Sequence, residues 1–125
     1  MLFRSLEVTR DPWTYQRYIR SSRAEFSLAS HAYVSTRCGW FSDRTTAYLA
    51  SGRPAVIQET GFSDWLSSGS GVIAFNTPEE AAGAIEDVNR RYAFHCREAR
   101  QIAEGYFDAR RVLTELIDAA MSAHD

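Results

Sequence analysis

Between residues 37 and 54 the chain reads Arg37-Cys38-Gly39-Trp40-Phe41-Ser42-Asp43-Arg44-Thr45, then a helix-like run, then Gly52-Arg53-Pro54. Arginine forks, hydroxyls and backbone amides at a helix N-terminus are groups that hold phosphate. Arg37 or Arg44 can supply the fork, and Ser42 and Thr45 the hydroxyls, in a loop that also carries Gly39. Asp43 can take the hydroxyls of a ribose, as acidic residues do in dinucleotide sites. Trp40 can cover a base or the face of a sugar. Each residue also has a plainer role. Ser42 suits an N-cap, Asp43 a first-turn acid and Trp40 core packing, while Arg44 can pair with Glu59 or Asp64.

The same loop carries a second pattern. Cys38, five residues, Arg44 and Thr45 have the spacing of a phosphatase loop, in which a thiolate attacks phosphorus. Such a loop curls its amides around the anion, which favours glycine, whereas Trp40 and Phe41 occupy its centre here. The plainer role for Cys38 is that of a small buried hydrophobe. Elsewhere His31, His95 and His124 are scattered without metal-ligand spacing, so no metal site is expected. His95 is read as a helix residue between surface and core. Glu59 and Asp64 follow a strand, where one of them can contact a sugar.

The elements around this loop follow from periodicity. Residues 1–10 read as a linker or frayed segment. Asp11-Pro12 is an N-cap and first-turn pair, and Tyr15, Tyr18, Ile19, Ser22 and Phe26 share a face, which predicts a helix over 12–29. Ala32–Ser35 reads as a buried strand, 43–51 as a helix stopped by Gly52, and 54–59 as a second strand. A loop or short helix over 60–70 leads to a third strand at 71–75. Thr77-Pro78-Glu79-Glu80 forms a capping box, and Ala81, Ile85, Val88 and Tyr92 continue one stripe. A helix over 94–106 turns Ala99, Ile102, Ala103 and Tyr106 inward. Asp108 caps a last helix with the stripe Val112, Leu113, Leu116, Ile117 and Ala120.

The fold class is therefore α/β: a small three-stranded parallel sheet flanked by helices, with C-terminal helices. At 125 residues it reads as a single domain, with helix and βαβ units over 11–76 and a helical part over 77–125. Three parallel strands leave an edge to cover, by the N-terminal helix, by a second copy in a homodimer, or by the rest of a larger fold.

Composition narrows the partners. A net charge of −2 argues against nucleic acid, and 45% hydrophobic residues argue against disorder. No apolar run is long enough for a transmembrane segment, and the N-terminus lacks the form of a signal peptide. Two distant cysteines suit a reduced, cytoplasmic setting. All 14 basic residues are arginine, which reads as the coding bias of a GC-rich bacterial genome. The absence of lysine excludes a Gly-Lys-Ser phosphate loop and a Schiff-base lysine.

With these residues in view, the loop resembles the C-terminal, donor-binding half of GT-B fold glycosyltransferases. A subset of them carries His-Cys-Gly-Trp-Asn-Ser, an acidic residue, then Gly-x-Pro before the next strand. Here the matching residues are Arg37 to Ser42, Asp43, and Gly52-Arg53-Pro54, with Ser51 to Val56 similar to the wider family. The resemblance spans roughly residues 20–121 and corresponds to the last strands and closing helices of a Rossmann-like donor domain. It implies nucleotide-sugar binding by Arg37, Gly39, Trp40, Ser42, Asp43, Arg44 and Thr45, with no cofactor besides that donor substrate. Arg37 stands in place of a phosphate-contacting histidine and Phe41 in place of asparagine. Gly39 and Ala47 occupy the places of the retaining enzymes' paired glutamates. The N-terminal acceptor domain, which supplies the base of inverting members, has no counterpart in these residues. The resemblance thus implies weak donor binding without sugar transfer by this chain alone. A cysteine-dependent phosphatase and a non-catalytic interaction module are the alternatives.

Overall fold

In the computed structural model, residues 5–123 are described. The N-terminal segment contains a helix, α1 (Ser5–Val8), where a frayed linker was expected, and α2 (Pro12–Ser21) follows. Asp11 caps α2 by accepting from the Thr14 amide at 2.8 Å. This helix stops well short of residue 29. The hydroxyls of Ser21 and Ser22 both donate back to the Tyr18 carbonyl, and Ser22 turns extended. Such side-chain bonds compete with helix propagation.

The first strand is consequently β1 (Glu25–Ser27), and the expected strand at Ala32–Ser35 is instead a short helix, α3 (His31–Ser35). A short apolar run such as Ala32-Tyr33-Val34 does not by itself separate strand from helix. No residue of α3 is buried, so the run never needed a sheet to cover it. The other elements fall where the periodicity puts them: α4 (Asp43–Ala50), β2 (Ala55–Gln58), a 3-10 turn (Phe62–Asp64) and β3 (Val72–Phe75). They are followed by α5 (Pro78–Arg90), α6 (Tyr92–Tyr106) and α7 (Ala109–Ser122).

The sheet is parallel, in the order β1-β2-β3. Helices cover both faces, which is why β2 can be a continuous apolar run. On one face Leu49 of α4 and Ala99 and Ala103 of α6 close over Ala55, Ile57 and Val72, with Phe62 and Leu66 from the connecting loop. On the other, Ala81, Ala84 and Val88 of α5 close over Val56 and Phe75. Gly71 enters β3 at φ +75, and a Cβ there would lie 2.5 Å from the Ala99 amide nitrogen of α6. Only glycine lets that helix approach so closely.

His95 is fully buried in α6, deeper than a surface-and-core boundary. The Gly71 amide donates to its Nδ1 at 3.1 Å. Nε2 therefore carries the proton and donates to Asp87 at 3.1 Å. His124 lies outside the described residues. The stripe expected to face inward on α7 forms, yet no residue of α7 is buried: Leu116 is 63% exposed and Ile117 60%. Ala99 and Ala103 of α6 do face inward, whereas Tyr106 is largely exposed.

Candidate functional site

Parallel strands that end together, beside the start of a helix, leave a crevice at their carboxyl edge. Here β1 and β2 end beside the start of α4, and a cleft of about 230 Å³ lies between them. Its wall comprises Ser27, Ser30, Tyr33, Trp40, Ser42, Arg44, Thr45, Gln58 and Thr60, together with apolar backing. Hydroxyls, an amide, three aromatic residues (Tyr33, Trp40 and Phe41) and one guanidinium thus line one space. Among the described residues no carboxylate or imidazole lines it.

The route from β1 to α4 explains how these groups converge. The Ala29 amide donates to Gln58 Oε1 at 3.1 Å, tying the exit of β1 to the end of β2. After α3 the chain reverses through two left-handed residues, Arg37 at φ 47 and Gly39 at φ 77. The loop then locks onto Thr60. The Gly39 amide donates to the Thr60 carbonyl at 2.8 Å, and the Thr60 hydroxyl donates to the Trp40 carbonyl at 2.6 Å. Gly61 at φ +95 fits beneath this turn, because a Cβ there would lie 2.8 Å from the Arg37 carbonyl oxygen. Trp40 is thereby held against Tyr33, with ring centroids 4.9 Å apart and planes inclined by 25°. Both rings keep an open face: Trp40 is 49% exposed and Tyr33 37%. Phe41 packs on Phe62, Trp65 and Phe107 and also contributes to the cleft lining.

At the start of α4, Ser42 is the N-cap, and its hydroxyl accepts from the Arg44 amide at 3.2 Å. The Asp43 carboxylate accepts from the same amide at 2.8 Å. The helix thus supplies its own acid to part of its positive end. Thr45 is buried beneath this turn.

Arg44 reaches back across the cleft to β1. Its Nε donates to Glu25 Oε1 at 2.7 Å and its Nη2 to Ser27 Oγ at 2.8 Å. Glu25 is buried, and its hydrogen bond raises the guanidinium pKa above the usual arginine value. Nη1 has no hydrogen-bond partner among the described residues, so one edge of the fork stays open. The partner of Arg44 is therefore Glu25, where Glu59 or Asp64 was expected. Asp64 pairs instead with Arg37 at 3.3 Å, on the exposed surface. Glu59 accepts from the Gly61 amide at 2.6 Å. Burial pushes its carboxyl upward, but hydrogen bonds from Ser63 and Gly61 outweigh this and hold it below the usual range.

Of the seven residues singled out in the sequence, Trp40, Ser42, Arg44 and Thr45 line the cleft. Asp43 adjoins it as a helix cap, and Gly39 serves the turn. Arg37 points to Asp64 and does not join the others. Ser27, Ser30, Tyr33 and Gln58 also line the cleft, and Glu25 anchors Arg44. The alternation Ala24-Glu25-Phe26-Ser27-Leu28 is the signal that marks β1 and places Glu25 and Ser27 on one face. Cys38 is exposed and lies outside the cleft lining.

Among the described residues no group of three histidine, cysteine or acidic side chains is placed to hold a metal ion. No described helix is long and apolar enough to cross a membrane. Comparison with protein-family models, curated proteins and solved structures finds no match.

Proposed function

We propose that the cleft holds a nucleotide-sugar, as a glycosyltransferase-like donor-binding domain that does not transfer sugar by itself. The observation that carries this reading is the Tyr33–Trp40 stack facing the same cleft as the open edge of Arg44. Aromatic faces with clustered hydroxyls and amides suit a sugar or a base, and a guanidinium edge suits a phosphate oxygen. The cleft also lies where parallel α/β sheets hold their ligands. Glu25 offsets the charge of Arg44, which favours modest affinity over tight anion capture.

Tryptophan fluorescence tests the proposal. Titration with UDP-, GDP- and dTDP-sugars should quench emission saturably for at least one of them. The signal should disappear in Trp40→Phe. Quenching that persists unchanged in Trp40→Phe would place the ligand elsewhere.

A further inference from the structure

The two edges of the sheet differ. At the β3 edge the chain folds back on itself: the Gly69 amide donates to the Val72 carbonyl at 2.8 Å, and the Ala74 amide donates to Ser68 Oγ at 2.8 Å. That edge is blunted against further pairing. Among the described residues no strand pairs with the β1 edge: α2 packs chiefly on α4, and α5 over β3 and β2 with Ile85 and Asn89 beside β1.

Register shows which groups the β1 edge offers. The Glu25 amide donates to the Pro54 carbonyl at 2.9 Å, so Glu25 and Ser27 direct their backbone groups toward β2. Alternation then turns the N–H and C=O of Phe26 outward together. Beside them Phe26 is 53% exposed and Leu28 70%. A groove of about 270 Å³ between β1 and α5 is bounded by Ala24, Phe26, Val56, Ile85 and Val88. No lysine, proline or bulge protects this edge.

We infer that β1 pairs with the β1 of a second copy, antiparallel about a two-fold axis through Phe26. An outward N–H and C=O on the central residue of a three-residue strand form a hydrogen-bonded pair with the same residue of the other copy. The edge is therefore complementary to itself, as a two-fold contact requires. Period-two alternation sets Phe26 against its equivalent, with Ala24 and Phe26 on the α5 face, and brings Leu28, just beyond the strand, across from Ala24 of the other copy. The two sheets become one of six strands, and the apolar edge leaves water. The exposed parts of Phe26, Leu28 and Ile85 amount to roughly 300 Å² per copy, below the ~800 Å² per partner of a standard tight interface. The dimer is accordingly weak and concentration-dependent.

Sedimentation velocity across a concentration series, with amide exchange at Phe26, tests the inference. The expected result is a monomer–dimer equilibrium, with the Phe26 amide exchanging more slowly as dimer forms. Leu28→Lys should raise the dissociation constant at least about tenfold, since edge lysines oppose pairing. Leu116→Lys, on the exposed stripe of α7, should leave it unchanged. A monomer at every concentration would overturn the inference. So would a dimer that survives Leu28→Lys, or one abolished by Leu116→Lys, which would move the contact to α7.

Discussion

Arg44 Nε donates to Glu25 Oε1 at 2.7 Å, joining the first turn of α4 to the buried start of β1. The Glu25 side chain is 4% exposed, and its Oε2 has no hydrogen-bond partner among the described residues. Arg44→Ala should therefore destabilise the fold by about 2 kcal/mol or more, because it leaves a buried carboxylate unpaired. Arg44→Ala combined with Glu25→Gln should cost less than Arg44→Ala alone. Denaturant unfolding of both variants measures the difference.

The aromatic pair makes a separate prediction. Trp40→Ala should weaken nucleotide-sugar binding by roughly two- to tenfold, on the scale of one lost aromatic platform of about 0.5–1.5 kcal/mol. Tyr33→Ala should weaken it less, since it removes the support of the Trp40 ring and one edge of the cleft. Both variants should keep the far-ultraviolet circular dichroism of the parent, because both rings are exposed.

Stability rests on a different contact. The Gly71 amide and the Asp87 carboxylate meet the two ring nitrogens of the fully buried His95. His95→Leu should cost about 1–3 kcal/mol through the unpartnered Gly71 amide. Gly71→Ala should be worse than a usual surface substitution, since its Cβ would meet the α6 backbone at 2.5 Å and φ is positive. Chemical denaturation of the two variants checks the order.

Acid should unfold the protein through two carboxylates. Hydrogen bonds from Arg91 and then Arg90 hold the Asp87 carboxyl far below its usual range. Glu59 is also held low, by Ser63 and Gly61 against the opposing effect of burial. A carboxyl lowered in the native state contributes stability that is complete above the unfolded-state value, near 4, and is lost as the pH falls toward the native value. The Tm should be flat from neutrality to about pH 5 and fall below it. Glu59→Gln should lower the neutral Tm and reduce the acid slope.

Much of this architecture was legible in the sequence because its signals were local. Ser42 before α4, Gly52 after it and the Thr77-Pro78 start of α5 each act within one turn of chain, and each is found as expected. The first strand was hidden because Tyr15, Tyr18, Ile19, Ser22 and Phe26 fit one helical stripe, while two serine hydroxyls end the helix before it reaches Phe26. Within the cleft, Trp40, Ser42, Arg44 and Thr45 fall in one short stretch of chain and were readable as a set. Glu25, Ser27 and Gln58 come from two strands, and only the parallel register brings them to α4. The α7 stripe shows the limit of periodicity: it marks an apolar face without saying what covers it.

Isothermal calorimetry with UDP-, GDP- and dTDP-sugars, under conditions where circular dichroism shows a folded chain, measures whether the cleft holds a donor. The expected result is saturable binding of at least one donor at or below millimolar concentration, weakened about tenfold or more by Arg44→Ala and unchanged by Cys38→Ser. No binding of any of the three donors at millimolar concentration would contradict it. Hydrolysis of an aryl phosphate that disappears in Cys38→Ser would favour the phosphatase alternative instead.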